Sequence, residues 1–249
     1  MAAAPGVLAE VVNAFDAPGI GIDLARLGLA WARAAPAVAI VPAFGLRAIP
    51  APARVVMGLA LAATIFPALP PVAGSAAPWL LRAAEQAVLG LPIAIAAAVP
   101  MWAATMAGGV ADALRNAPDT LTAPTVEGRA TPLGVPLSLL ACAIFLATGG
   151  PARVAGALAA SAPPAHPVLA AANDLVAGIT LAVAIGGPLL AAAVVVEVAG
   201  ALIARAASPA QLHLLLAPAR ALALLAVMAV VLERVSAVIA IAVERAPHG

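Results

Sequence analysis

The sequence predicts an all-α, polytopic membrane protein of about five or six hydrophobic helices, several broken by Pro or Gly and packed as hairpins. Three observations predict it. Of 249 residues, 65% are hydrophobic and 9% charged, and the mean hydropathy is +1.12. A soluble domain averages roughly 45–50% apolar and about 25% charged, so this chain lacks the polar material to cover its own surface in water. The apolar residues also fall in runs long enough to cross a bilayer, which takes about 20 residues of helix. Finally, 24 prolines and 20 glycines punctuate those runs. Residues 1–249 read as a single integral-membrane domain, with no internal repeat.

The elements follow in order. The opening Met1-Ala-Ala-Ala-Pro5 lacks the positive start of a secretory signal, and Glu10 and Asp16 interrupt the early apolar stretch, so targeting is expected to come from the spans. The first span, residues 24–44, carries Arg26 and Arg33 on one helical face. The second covers 55–72. The third covers 87–106 and is preceded by Arg82 and Glu85, spaced to pair; Pro92 and Pro100 punctuate it. The longest hydrophilic stretch, 112–131, follows. A short fourth span covers 133–148. The fifth is the uncharged run 175–196, which Gly186-Gly187-Pro188 is expected to break. Glu197 ends that run. The sixth span runs from about 212 toward 243 and contains Arg220 and Glu233-Arg234. Arginines counted loop by loop favour an outside N-terminus. A charged side chain at mid-membrane costs about 2.5–3.5 kcal/mol, so such groups face protein or water. Helices with charged stripes and proline breaks therefore pack against other polypeptide on several sides.

Several chemistries are excluded. The net charge is +1, all twelve basic residues are arginine, and none forms a run, so no nucleic-acid footprint exists. The single cysteine, Cys142, lies among apolar neighbours and reads as a small buried hydrophobe. His166, His213 and His248 are scattered without metal-ligand spacing. Gly19-Ile-Gly21 lacks the third glycine of a dinucleotide site, and the absence of lysine removes the phosphate-binding loop of a nucleotide hydrolase. No serine sits in a GxSxG turn, and Ser161 with His166 has no orienting acid nearby. No catalytic, cofactor or metal residues are therefore assigned, and the chain is not expected to be an enzyme.

An ordered series of segments resembles the FliR/SctT family. It begins with Arg33-Ala-Ala-Pro36, Pro42-Ala-Phe-Gly-Leu-Arg47-Ala-Ile-Pro50 and Arg54-Val-Val-Met-Gly58-Leu-Ala-Leu-Ala62. It continues with Glu85-Gln-Ala-Val-Leu-Gly90, then Trp102 through Gly108 to Asp112, and Thr131-Pro-Leu-Gly134. Phe145-Leu-Ala-Thr-Gly-Gly150 and Ser161 come next, then Glu197 ahead of Arg205, and Pro218-Ala-Arg220. The resemblance covers about residues 24–235. It departs at Arg115-Asn116, where the family carries Arg-Gly, and at Ser208-Pro209-Ala210-Gln211. The Gly149-Gly150 pair is closer to the injectisome branch than to the flagellar branch.

The family supplies the R/T-type subunit of the type III protein export apparatus. The resemblance implies a multi-pass protein of the bacterial inner membrane with no cofactor. Its implied partners are the P/R-type and Q/S-type membrane subunits of a closed export gate, a gate-switch protein, and the unfolded proteins exported through it. Structural and interface candidates are Arg33, Pro42, Arg47, Pro50, Arg54, Glu85, Asp112, Glu197, Arg205 and Arg220; for Arg47 and Arg54, anchoring at the inner leaflet is the competing role. Gly186, Gly187 and Pro188 are hinge candidates, with a packing kink as the alternative. Asn116, Pro118, Asp119, Glu127 and Arg129 are candidates for a loop that plugs the gate, although a plain solvated connection has the same composition. The rival function is a small-molecule permease or ion-coupled transporter with its site at the broken fifth helix.

Overall fold

The computed structural model of the chain describes residues 23–44, 50–70, 76–114, 121–122, 129–160, 166–206 and 212–245. The element order is α1 (Leu24–Ile40), α2 (Ala51–Ile65), a 3-10 turn (Phe66–Ala68), α3 (Ala76–Leu114), β1 (Leu121–Thr122), β2 (Arg129–Ala130), α4 (Gly134–Ala147), α5 (Gly150–Ala159), α6 (Pro167–Ala206) and α7 (Leu212–Arg245). Among the described residues, the fold is all-α apart from the two-residue antiparallel pairing of β1 with β2. Among the described residues, four helices are long and apolar enough to cross a membrane, or five if α4 and α5 count as one broken span.

Local chemistry sets the boundaries. The Asp23 carboxylate accepts the Arg26 N–H at 2.8 Å and so caps α1. Pro50, Pro52 and Pro151 stand at helix starts, where a missing N–H costs nothing. Between α4 and α5, Gly149 adopts φ +75°, a left-handed conformation that releases the chain from one helix and starts the next.

Three features differ from the sequence expectation. α1 has 17 residues and ends at Ile40, ahead of the turn at residues 42–44, so it is shorter than the predicted span and is not among the membrane-crossing set. Residues 149–167, left between the predicted fourth and fifth spans, contain α5, whose buried Val154 and Leu158 stand on one face. The third and fifth spans are long helices of 39 and 40 residues, and α6 runs through Gly186-Gly187-Pro188 without interruption. Pro188 removes one ladder hydrogen bond. In an apolar stretch with nothing else to satisfy the backbone, abandoning the helix costs far more than that one bond.

The chain divides into two compact units. One comprises Met1–Ala98, Gly149–Leu175 and Pro247–Gly249; the other comprises Val99–Thr148 and Val176–Ala246. In the first, α1 and α2 form an antiparallel hairpin against which α5 packs. Its core is rich in alanine: Ala30, Ala34, Ala37, Ala62, Ala94 and Ala98 are fully buried, with Ile65, Val154 and Leu158 supplying bulk. In the second, α4 packs on α7, and Met101, Leu137, Cys142, Phe145, Val235 and Ile239 fill the interior.

Candidate functional site

In the second unit, the C-terminal part of α3 and the start of α4 close the base of the long hydrophilic loop. Gly108 lets the two backbones touch: a Cβ there would lie 2.5 Å from Gly134 Cα and 2.6 Å from Gly134 N. One turn on, Asp112 is 0% exposed, and its carboxylate accepts the Leu133 N–H. Thr131 completes the junction, its hydroxyl accepting the Gly134 N–H at 3.2 Å and its carbonyl the Val135 N–H at 3.1 Å. Above this base, Leu121 pairs with Ala130 and Thr122 with Arg129. Both loop ends are thus held by a buried charge-assisted hydrogen bond, a helix contact and a short ladder. Asn116, Pro118, Asp119 and Glu127 lie outside the described residues, and for Arg129 the structure gives only its backbone pairing.

In the first unit, Arg33 is 6% exposed. Its Nη2 donates to the Ala160 carbonyl at 2.9 Å, tying α1 to the end of α5, while its Nε has no partner. Gly90 of α3 sits directly on the Arg33 carbonyl, where a Cβ would overlap the oxygen. Arg26 lies over the Phe66 ring, 4.5 Å from its centroid, and donates to the Pro67 carbonyl at 3.1 Å. The Trp79 indole donates to the Ala25 carbonyl at 2.9 Å. The two arginines of α1 therefore both serve packing within the first unit, Arg26 against the end of α2 and Arg33 against the end of α5. Pro42 is buried in the turn after α1, Pro50 is exposed ahead of α2, and Arg54 is half-buried on α2. Glu85 and Arg82 are both exposed on α3, and no ion pair joins them. Arg47 lies outside the described residues.

The remaining candidates stand on α6 and α7. Glu197 and Arg205 are exposed on α6, Gly186 is buried, and Gly187 and Pro188 are half-buried. A Cβ on Gly186 would make ordinary contact with Ala107, at 3.8 Å from its Cα, so this glycine marks a close α3–α6 approach. Arg220 lies in α7, with its side chain outside the described positions. Only 18% of the most apolar window of α6, and the same share for α7, is buried, against 56% for α3, so both helices present uncovered apolar faces.

Sequence reasoning placed Arg33 and Asp112 among the site residues. It missed the packing roles of Arg26, Trp79 and Gly90, although Arg26 sharing the Arg33 face was a usable signal. No group of three or more His, Cys, Asp or Glu suited to a metal ion occurs among the described residues. Among the described residues, the candidates that have contacts form helix packing and anchored loop ends.

Comparison with known proteins gives the same direction. The Secretion system apparatus protein SsaT of Salmonella typhimurium (strain LT2) is 37% identical over 73 residues, which are 29% of this chain and 28% of that protein. The aligned segment thus spans well under a third of the relative's length. A family match extends much further, over residues 24–246, and takes in both units and every described helix. With that coverage, the chain belongs to the bacterial export proteins, family 1, the FliR/SctT family whose motifs its sequence carries.

Proposed function

We propose that this protein is the R/T-type subunit of a type III secretion export gate of the injectisome branch, acting as one non-enzymatic domain in the bacterial inner membrane. It co-assembles there with P/R-type and Q/S-type membrane subunits and a gate-switch protein, around the path of unfolded substrates. The family match over residues 24–246 carries the reading. The SsaT relative, by its name a secretion-system apparatus protein, supports the type III assignment. The structure adds two supporting features. The sparsely covered faces of α6 and α7 suit a subunit embedded among other helices. The clamped base of the 112–131 stretch suits a loop held rigidly enough to obstruct a pore mouth. The permease alternative rested on a broken fifth helix, and α6 is continuous where that break was expected.

Co-expression tests the reading. The chain is expected to be poorly monodisperse in detergent alone and to become stable with its P/R-type partner, because unpartnered polar groups facing lipid are costly. Deleting residues 118–127 is expected to leave the complex assembled, since loop closure depends only weakly on length. Membranes carrying that complex should then leak ions or small dyes. Equal behaviour with and without partners refutes the assembly role, and an assembled deletion complex with wild-type conductance refutes the plug.

A further inference from the structure

The start of α4 has backbone donors that its own cap residue cannot serve. That residue is Leu133, at φ −90° and ψ −24°, and its side chain accepts nothing. The donors of the first turn nonetheless all have a place. The Gly134 N–H goes to the Thr131 hydroxyl and the Val135 N–H to the Thr131 carbonyl. Pro136 has no N–H, and the Leu137 N–H returns to the Leu133 carbonyl at 3.3 Å. The Leu133 N–H is served from another helix, by the Asp112 carboxylate of α3.

These acceptors differ in reach. Thr131 acts three and four residues along the chain, so its bonds shape the first turn of α4 alone. Asp112 acts across 21 residues of sequence, from the outgoing end of the hydrophilic stretch to its returning end. Its carboxylate is fully buried and faces the positive end of α4, where a negative charge is favoured and a charged acceptor binds more strongly than a neutral one. Removing it leaves the Leu133 N–H without that acceptor and loosens the two ends from each other.

We propose that Asp112 is a positioning residue of the export gate: by tying the returning end of the 112–131 stretch to α3, it seats that stretch and keeps the assembled complex closed to ions. The proposal rests on the reading of this stretch as a plug and goes beyond it by naming the side chain and the bond that seat it.

The test uses the full chain co-expressed with the small membrane subunits of the apparatus. The purified complex is placed in dye-loaded liposomes, with the 118–127 deletion as the open reference. Asp112→Ala is expected to raise dye release per complex by at least about tenfold over wild type, and to speed hydrogen exchange at the Leu133 amide by a similar factor. Asp112→Asn keeps the shape and an acceptor oxygen but loses the charge, so both readings should fall between; where Asp112→Ala does not assemble, Asp112→Asn decides. Thr131→Val deletes the local acceptor for Gly134 and leaves the tie, so exchange at Gly134 should rise while the liposomes stay as tight as with wild type. Wild-type tightness of the Asp112 variants beside a leaking deletion overturns the proposal and leaves the plug reading standing. A deletion complex that stays tight removes the plug reading and this proposal with it. Equal leaks from Thr131→Val and Asp112→Ala overturn it as well, because leakage then follows the stability of α4 rather than the tie. Failure of both Asp112 variants to assemble assigns Asp112 to folding and overturns it too.

Discussion

Gly108→Ala offers a sharp test of the α3–α4 junction, because its neighbour Gly109 supplies the control. A methyl on Gly108 would stand 2.5 Å from Gly134 Cα, 2.6 Å from Gly134 N and 2.7 Å from the Leu133 carbonyl carbon. All three are backbone atoms and cannot swing aside. Carbon atoms pack at about 3.5–4.0 Å, so the two helices must part by about 1 Å to admit it. Overpacking of this kind costs about 1–3 kcal/mol. The displacement also draws the Asp112 carboxylate off the Leu133 N–H, a buried charged hydrogen bond worth about 1.5–3 kcal/mol. Alanine returns about 1 kcal/mol through its better helix propensity. The expected net loss is about 1.5–5 kcal/mol. For a chain of this size that is an apparent melting temperature lower by roughly 3–20 °C in a detergent unfolding assay. At Gly109 the same methyl would meet only the Thr131 side chain, at 3.9 Å from its hydroxyl oxygen. Gly109→Ala is therefore expected to melt at or slightly above the wild-type temperature. If the two variants melt alike, the junction is not closed as described, and the rigid loop base falls with it.

Gly149→Ala should cost about 1–2 kcal/mol although nothing lies within 4 Å of the position, because φ +75° is strained for any residue with a Cβ; Gly149→Asn should cost less, and equal thermal melts for both variants and wild type would contradict this. Arg33→Ala removes the hydrogen bond to the Ala160 carbonyl along with a packed aliphatic stem, so a loss of about 2–3 kcal/mol is expected in the same assay, and an unchanged melt counts against the tie between α1 and α5. Glu197→Ala and Arg220→Ala should each lower yield of the assembled complex more than membrane insertion of the chain; normal complex yield from both variants shows that neither charge serves assembly.

The helical, membrane-crossing character was legible because composition and run length are global signals that no local detail reverses. Individual boundaries were less so. Pro92 and Pro100 lie inside α3, and Pro188 inside α6, because the cost of one missing hydrogen bond is small beside that of unwinding an apolar segment. The sequence signal for proline is the same in both circumstances. α5 was missed because its glycine-proline start and ten-residue length look like loop until Leu158 and Val154 are seen against the α1–α2 hairpin. Asp112 was found through family motifs alone. Its role as acceptor for Leu133 depends on a contact across 21 residues of sequence, which periodicity within either helix cannot reveal. Arg33 was legible as a charge that had to be covered, but what covers it is a backbone carbonyl rather than a carboxylate.

The alanine-lined interior has an entropic consequence. A buried leucine or methionine gives up rotamers when the chain folds, whereas alanine has none to give up. Ala30, Ala34, Ala37 and Ala62 thus become ordered at almost no side-chain cost. Each also removes little apolar surface from its surroundings, so cohesion depends on many dispersion contacts between backbones lying close together. A core of this kind has few alternative packings to explore, because there are hardly any side-chain torsions through which to explore them. Its helices keep their spacing as stacked plates do, by the thickness of the layers between them.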